Sequence, residues 1–420
     1  MNKEFRLAYD VLDKVYKDNA YSNIMLNEVL YMADNKALLT KIVYGVLEKN
    51  ITLDYYIAKL TKNMPQRKIK TILKIGLYVL MFMDNIPDYA CVNDVVDLCT
   101  HANKEVNKGF VNAVLKSALT TKVDLPNDKL ECISIETSTP LWLVKAYFKQ
   151  YGETTAKEIL FAEKTTYEHI RANKRMVSDE ELVAYLLRKN IDNTPSGYGG
   201  YYVTNSPFVR KLFDDGVITY QSPSSMLACK AMGVVNNSKV LDMCSAPGGK
   251  AVYLSELAKN VSVMACDLYP QRVEKILEYA KRMKALGITA RQMDATVHDD
   301  SMVEKFDFVL CDVPCSGLGV AHKKPDIYLN KTYEGVCQLA EIQERILNNG
   351  IDYAKSGGVI IYSTCTTLRE ENYNVIGKTL KLRKDVVLEE MKIDKDNKGF
   401  IQLLPDKGVD GFFIARLRKC

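Results

Sequence analysis

Two of the eleven cysteines stand where they could do covalent chemistry. Cys315 and Cys365 each follow an apolar run that predicts a β-strand, at the point where a loop begins. Because a thiolate is a strong nucleophile, a pair of thiols at one edge of a sheet indicates covalent catalysis with separate roles in attack and release. Cys229, Cys266 and Cys311 fall inside apolar segments instead, and we expect them to pack as small hydrophobic side chains.

Three carboxylates follow the neighbouring predicted strands. Asp267, Asp294 and Asp312 each stand at or just after the end of an apolar run. A single acid in this position is usually a helix N-cap. Three acids beside two thiols indicate a ligand site, because ligands of parallel α/β sheets bind beyond the carboxyl ends of the strands. Asp267 also comes eighteen residues after Gly249, which is near the spacing at which an acid reaches ribose hydroxyls.

A glycine-rich turn joins a strand to a helix at residues 240–250. The apolar run ends at Asp242, the tight turn Pro-Gly-Gly follows at 247–249, and an amphipathic helix begins. Such a turn places a nucleotide-like ligand against the free N–H groups of a helix N-terminus. The turn is not a phosphate-binding P-loop, since Cys244 and Ala251 occupy the positions of its first glycine and its Ser or Thr. The dinucleotide pattern of three glycines is absent as well.

The elements that position these residues alternate between strands and helices from residue 216 onward. This alternation predicts a mostly parallel, doubly wound sheet. The predicted strands cover 240–244, 261–268, 288–293, 306–313 and 358–364, with closing strands at 386–388, 401–404 and 412–417. The predicted helices between them cover 250–259, 271–286 and about 333–355.

The preceding residues have a different pattern. Residues 1 to about 122 show helical periodicity, and the segment from Ile72 to Met83 is apolar on nearly all sides, which predicts a central buried helix. Residues 122–138 are rich in Asp, Pro, Ser and Thr and are predicted to be a linker. Residues 139–215 are predicted to form a small α/β connector, with helices at 141–148 and 156–161.

Charge and composition limit the class of protein. The net charge of +5 permits a nucleic-acid partner. Six basic residues and no acid lie between Lys59 and Lys74; a solvated surface and contact with RNA phosphates both remain open. The candidate RNA contacts are Lys62, Arg67, Lys68, Lys70, Arg171, Lys174 and Arg175.

The longest apolar run is too short to span a membrane. Without a close C-x-x-C pair or a visible signal peptide, we expect a cytoplasmic protein with free thiols and no metal site.

Three motifs in the carboxyl-terminal half resemble the S-adenosylmethionine-dependent RNA cytosine-5 methyltransferases. They are Asp-Met-Cys-Ser-Ala-Pro-Gly-Gly-Lys at 242–250, Asp-Val-Pro-Cys-Ser-Gly-x-Gly at 312–319, and Ser-Thr-Cys-Thr at 363–366 followed by Glu-Glu-Asn at 370–372. This resemblance implies a Rossmann-like class I methyltransferase domain and S-adenosylmethionine as cofactor. It also implies transfer of a methyl group to C5 of a cytosine through a covalent adduct between a cysteine and C6 of the base.

The resemblance assigns a role to each motif. It implies that Cys365 is the nucleophile, that Cys315 assists release and that Asp312 contacts the base. DNA cytosine methyltransferases attack with the cysteine of their Pro-Cys motif, so reversed roles of the two thiols stay open. The implied cofactor contacts are Cys244, Ser245, Ala246, Pro247, Gly248, Gly249 and Lys250 at the methionine end, Asp267 at the ribose, Asp294 at the adenine amine, and Asp312.

The amino-terminal residues resemble the NusB family of helical RNA-binding domains. The matching segments are Ile-Gly-Leu-Tyr at 75–78, Val-Asn-Asp-Val-Val at 92–96 and Gly-Phe-Val-Asn-Ala-Val-Leu at 109–115. A NusB-like domain ahead of the methyltransferase module is similar to the bacterial RsmB type, which implies small-subunit (16S) ribosomal RNA as partner and substrate. The predicted multidomain chain therefore has a NusB-like domain at 1–130, the connector at 139–215 and the methyltransferase domain at 216–420, and we expect a monomer. The same chemistry on tRNA, or a non-catalytic role in RNA binding or ribosome assembly, are the alternatives.

Overall fold

The computed structural model describes residues 2–162, 167–392, 397–406 and 409–420. The chain forms two compact units, one of Met1–Phe161 with Ala321–Lys331 and one of Ala162–Val320 with Thr332–Cys420. The domain boundaries that the sequence predicts at 130, 139 and 216 remain a prediction. No helix in the described part of the chain is long and apolar enough to cross a membrane.

The regular elements of the first unit are all helices in its described residues, as predicted for residues 1 to about 122. Its helices are α1 (Lys3–Asp18), α2 (Ser22–Val29), α3 (Lys36–Glu48), α4 (Asn50–Leu60), α5 (Arg67–Phe82), α6 (Asp88–His101), α7 (Lys108–Thr120), α8 (Lys129–Glu136) and α9 (Leu141–Leu160). Helix α5 is the central helix: every residue from Thr71 to Val79 is buried, and it contacts α1, α3, α4, α6 and α7. Gly76 permits this packing, because a Cβ there would lie 2.7 Å from the Leu115 side chain and 3.1 Å from that of Val95.

Two segments differ from the sequence-based expectation. The linker predicted at 122–138 is wrong in its second half, where Asp128 caps α8 by accepting hydrogen bonds from the N–H groups of Leu130 and Glu131 at 3.0 and 2.9 Å. An acidic cap and a linker share the same composition, which explains the error. Segment 321–331 lies between two elements of the second unit in sequence but packs with the first, where Asp326 accepts a hydrogen bond from the Ser22 N–H at 3.0 Å.

The second unit contains two sheets. The smaller sheet and its helices comprise β1 (Tyr167–Ala172), α10 (Asp179–Arg188), β2 (Asn193–Pro195), β3 (Tyr201–Thr204), α11 (Pro207–Asp214) and β4 (Ile218–Tyr220). This sheet is antiparallel with the order β2-β3-β1-β4 and has its own hydrophobic core.

The larger sheet and the helices that flank it follow in the chain. They are α12 (Pro223–Met232), β5 (Lys239–Asp242), α13 (Gly249–Leu257), β6 (Ser262–Asp267), α14 (Pro270–Arg282), β7 (Ile288–Gln292), β8 (Phe306–Asp312), α15 (Tyr333–Tyr353), β9 (Ala354–Thr364), α16 (Tyr373–Leu382), β10 (Val386–Leu388), β11 (Phe400–Leu403) and β12 (Phe412–Lys419). The strand order is β10-β12-β9-β8-β5-β6-β7, with β11 paired to β12. Strands β7, β6, β5, β8 and β9 are parallel, whereas β12 runs antiparallel to β9. The predicted doubly wound, mostly parallel sheet is confirmed, and the carboxyl ends of its five parallel strands meet at one edge.

Candidate active site

The two candidate thiols lie together at this carboxyl edge. Cys365 directly follows β9 and Cys315 follows β8, its parallel neighbour, with Asp312 opposite Ser363 in the register. The two Sγ atoms are 3.2 Å apart, and the N–H of Cys365 donates a hydrogen bond to the Cys315 Sγ at 3.3 Å. A proton could pass directly between the thiols at this distance.

The pKa of the Cys315 thiol lies well above its ordinary value. The causes, in order, are its hydrogen bond with Cys365, its burial, and the nearby negative charges of Cys365 and Glu371. Each of them favours the neutral thiol. The Cys315 thiol therefore stays protonated at neutral pH.

A buried carboxylate fixes the loop that carries Cys315. Glu371 is fully buried and accepts hydrogen bonds from the Ser316 N–H at 2.8 Å, the Ser316 hydroxyl at 2.6 Å and the Gln343 amide at 3.0 Å. The same Gln343 amide also donates to the Pro314 carbonyl at 2.9 Å. Glu371 thus joins the loop after β8 to the segment after β9, and sequence reasoning assigned it no role although it belongs to a family motif.

The adjacent amide fixes the loop that carries Cys365. Asn372 accepts a hydrogen bond from the Thr364 hydroxyl at 2.6 Å, and its own amide donates to the Thr366 carbonyl at 3.0 Å and to the Gln402 side chain at 2.9 Å. Asn372 is fully buried, so these bonds are shielded from water. Together with Glu371 it holds both thiol loops in one arrangement.

An ion pair connects the glycine-rich turn with the Pro-Cys motif. The Lys250 ammonium lies 2.7 Å from Asp312 Oδ2, and the Ser363 hydroxyl donates to Asp312 Oδ1 at 2.6 Å. Burial alone would lower the pKa of Lys250, but the charge of Asp312 and the hydrogen bond to it outweigh burial and raise that pKa. Lys250 therefore keeps its positive charge, and Asp312 is held as an acceptor beside the thiols.

The glycine-rich turn is built on the end of β6. The Ser245 N–H donates to the Cys266 carbonyl at 2.7 Å, and the Ala246 N–H donates to Asp267 at 3.3 Å. Gly248, which precedes α13, has a φ of 106°, and a Cβ there would lie 3.3 Å from Ile276. Only glycine adopts this conformation without strain, and it brings the first N–H groups of α13 to the edge of the sheet.

The remaining predicted acids differ in their environments. Asp267 is 3% exposed and lies 3.4 Å from the guanidinium of Arg272. Asp294 is exposed and accepts hydrogen bonds from the Thr296 N–H at 2.9 Å and the Thr296 hydroxyl at 2.7 Å, which lower its pKa. Asp294 therefore caps the turn that follows it, as a lone acid after a strand commonly does.

Unpartnered oxygens lie beneath the turn. Among the described residues, neither carboxylate oxygen of Asp242 nor the hydroxyl of Ser245 has a hydrogen-bond partner, and all three atoms are buried. Burial raises the pKa of Asp242 to about 7. Since buried polar groups are normally paired, this position suits a ligand that carries hydrogen-bond donors.

Most of the basic candidates for RNA contact have intramolecular partners. Arg171 is not accessible to RNA, so its prediction as an RNA contact is wrong: it is 2% exposed, pairs with Glu256 at 2.6 Å and lies over the Tyr253 ring. The other pairs are Arg175 with Glu256 at 3.2 Å, Lys174 with Asp179, Arg67 with Asp13, Lys70 with Asp54 at 2.9 Å, and Lys68 with the Ala102 carbonyl at 3.3 Å. Lys62 is exposed.

In the residues that the structure describes, no group of three or more His, Cys, Asp or Glu could hold a metal ion.

Family models match both halves of the chain. Residues 229–418 match the model for the 16S rRNA methyltransferases RsmB/F, and residues 4–120 match the NusB family. A relative from Bacillus subtilis named "Probable ribosomal RNA small subunit methyltransferase B" is 34% identical over 98% of each chain. A second relative, "Ribosomal RNA small subunit methyltransferase B" from Photorhabdus laumondii, is 30% identical over 92% of this chain and 91% of its own.

Solved structures show the same fold. A crystal structure of the protein PH0851 has a TM-score of 0.85 at 22% identity and covers 99% of this chain and 98% of that one. A methyltransferase homolog protein from Pyrococcus horikoshii has a TM-score of 0.61 at 28% identity, over 70% of this chain and all of its own.

Proposed function

This chain belongs to the RsmB/F family of rRNA methyltransferases, and on that premise we propose that it methylates C5 of a cytosine in 16S ribosomal RNA, with S-adenosylmethionine as the methyl donor. One observation carries the proposal: two thiols 3.2 Å apart lie at the same sheet edge as a charged Asp312–Lys250 pair and a glycine-rich turn. A methyltransferase that used no covalent adduct would have no use for the pair of thiols.

The donor set at the edge fits S-adenosylmethionine. The N–H groups at the start of α13 and the unpartnered oxygens of Asp242 and Ser245 would face its methionine end, and the Asp267 carboxylate would accept from its ribose hydroxyls. Asp294 would meet the adenine amine, as the family resemblance implies. When bound, the donor supplies an electrophilic methyl group on a sulfonium.

The covalent step follows from the chemistry of cytosine. C5 is a weak nucleophile until a thiolate adds to C6 and the ring becomes enamine-like. The Cys365 thiol forms this S–C6 bond and gives up its proton, and N3 of the ring takes up a proton. Asp312 accepts hydrogen bonds from that N3–H and from the exocyclic amine of the base. After C5 has gained the methyl group, it loses its proton, the S–C6 bond breaks, and the electron pair of that bond returns to Cys365.

The raised pKa of Cys315 supports this division of roles. A thiol with a raised pKa is a poor attacking group, but it can relay a proton: as the S–C6 bond breaks, Cys315 passes its own proton to the Cys365 sulfur and takes up the proton from C5. The 3.2 Å distance to Cys365 allows the relay without a rearrangement of the backbone. The target base must leave its stack to reach the thiols.

Two cysteine variants test the proposal. We expect Cys365→Ala to abolish the transfer of labelled methyl groups from S-adenosylmethionine to 16S rRNA. Cys315→Ala should trap a protein–RNA adduct that survives denaturing electrophoresis. Cys337→Ala, which changes a thiol on α15, is the matched control and should behave as wild type.

An active Cys365→Ala together with an inactive, adduct-free Cys315→Ala would reverse the two roles. Failure of the wild-type protein to bind S-adenosylmethionine in calorimetry would instead support a non-catalytic RNA-binding factor. Parallel assays on purified rRNA and tRNA separate the two substrate classes, and the names of the relatives favour rRNA. A ribosomal substrate is in keeping with the predicted cytoplasmic location, and the monomeric state stays a prediction.

A further inference from the structure

A basic cavity lies at the edge of the larger sheet that is opposite the candidate active site. It has a volume of about 670 Å³ and is lined at the amino-terminal ends of β5, β8 and β9, by residues that include Ser238, Asp307 and Gly357. The thiols and the glycine-rich turn lie at the carboxyl ends of the same strands, so this cavity is separate from the candidate active site. We call it the amino-edge cavity.

The lining of the amino-edge cavity favours an anion. Among the residues that the structure describes, five cationic side chains line it, against the single carboxylate of Asp307. The five are Lys230, Lys355, Lys392, Arg416 and Arg418. Asp307 pairs with Lys355 at 2.6 Å, and the neighbouring Glu389 pairs with both arginines, so positive charge remains in excess.

The two arginines are held in place before any ligand binds. Arg416 donates to the carbonyls of Ala231 and Met232 at 2.6 and 2.7 Å and to Glu389 at 2.7 Å. Arg418 donates to Glu389 at 2.6 and 2.9 Å. Guanidinium groups fixed in this way lose little conformational entropy when they bind an anion.

The backbone of β9 also favours the binding of an anion in this cavity. Between Ala354 and Val359 strand β9 departs from the register of β8, and the bulge places Ser356, Gly357 and Gly358 in the cavity wall. Gly357 has a φ of 74°, and a Cβ there would meet open space. Small residues in a bulge allow an anion to approach the main chain closely.

We propose that the amino-edge cavity binds a phosphate group of the RNA backbone, away from the cytosine that is methylated. This inference rests on the proposed function for the identity of the polymer. Lys230 is the best probe of the cavity, since it is exposed and its ammonium donates to the Tyr198 carbonyl at 2.7 Å rather than to a carboxylate. Its charge can therefore be changed without breaking an ion pair with any described residue.

The test measures binding of a fluorescein-labelled single-stranded RNA to the full-length protein by fluorescence anisotropy, without a methyl donor, over a range of salt concentrations. Lys230→Glu should weaken binding about tenfold at low salt and reduce the slope of log K against log salt by about 0.7, the value for one phosphate contact on a single strand. Lys230→Arg should bind as wild type does. Lys378→Ala is the matched control, because it removes an exposed lysine of α16 whose charge Glu344 already balances.

Each result decides the proposal. An unchanged affinity and salt slope in Lys230→Glu would overturn it. Calorimetric binding of inorganic pyrophosphate that Lys230→Glu abolishes, with RNA affinity unchanged, would assign the cavity to a small phosphate compound and would also overturn the RNA proposal. Because the assay needs no methyl transfer, an inactive wild-type protein would refute the proposed function while the cavity could still be tested.

Discussion

Removal of the Glu371 carboxylate should show how much the active-site loops depend on one buried group. In Glu371→Ala three hydrogen bonds are lost, but the donors are not affected equally. The Ser316 hydroxyl can turn to Thr366, 3.1 Å away, and the Gln343 amide keeps its bond to the Pro314 carbonyl. Only the Ser316 N–H loses its one partner completely.

These contacts determine how far the free energy of unfolding falls in Glu371→Ala. A stranded buried donor costs about 1–3 kcal/mol, and the two compensated, charge-assisted bonds cost about 1 kcal/mol each. Together these losses predict that Glu371→Ala lowers the free energy of unfolding by about 3–5 kcal/mol. In Glu371→Gln the shape and the acceptor for the Ser316 N–H remain, and the expected loss is only about 1 kcal/mol.

Urea unfolding followed by circular dichroism measures the loss, and hydrogen exchange in peptides that span 306–320 and 359–375 localises it. Since Glu371 positions the thiols without touching the reacting atoms, kcat should fall in Glu371→Ala more than KM for S-adenosylmethionine rises. The matched control is Glu370→Ala, which loses one bond from Tyr333 at 3.2 Å and should change stability by less than about 1 kcal/mol. Equal destabilisation by Glu371→Ala and Glu371→Gln, or wild-type stability of Glu371→Ala, would refute this reasoning.

Three further predictions follow from buried charge and backbone strain. Arg171→Ala leaves the buried Glu256 carboxylate short of a partner and should destabilise the protein by about 3–5 kcal/mol in calorimetry, whereas Lys174→Ala breaks an exposed pair and should cost less than about 1 kcal/mol. Burial raises the pKa of Asp242 to about 7, so the folded state keeps a proton that the unfolded chain releases near pH 4. The contribution of this group to the free energy of unfolding is therefore greatest below about pH 4 and is lost as pH rises through about 7. Asp242→Asn should flatten that fall, as measured by urea titrations at several pH values. Gly248→Ala forces a Cβ toward Ile276 at a positive φ, a strain of about 1–3 kcal/mol, and should weaken calorimetric binding of S-adenosylmethionine, while Gly377→Ala, in open space on α16, should not.

Sequence patterns were sufficient for the parallel part of the larger sheet. Apolar runs of strand length that alternate with amphipathic segments are local features, so the strands from 240 to 364 and their parallel direction could be inferred from neighbouring residues alone. Parallel strands have their carboxyl ends at one edge, and this rule alone predicts that Cys315, Cys365 and Asp312 lie together.

The local patterns could not show what pairs across long stretches of sequence. Glu371 binds Ser316 from 55 positions away and Arg171 meets Glu256 across 85, so neither the clamp on the thiol loops nor the burial of Arg171 has a signature in its own segment. A charged residue on the surface and one paired inside the protein can have the same neighbours in the sequence. Whether the residue is buried depends on which distant side chain pairs with its charge away from water. The sequence by itself determined which residues meet at the sheet edge, whereas the 3.2 Å between the thiols, the partners that hold them and the placement of 321–331 with the helical unit were decided by tertiary packing.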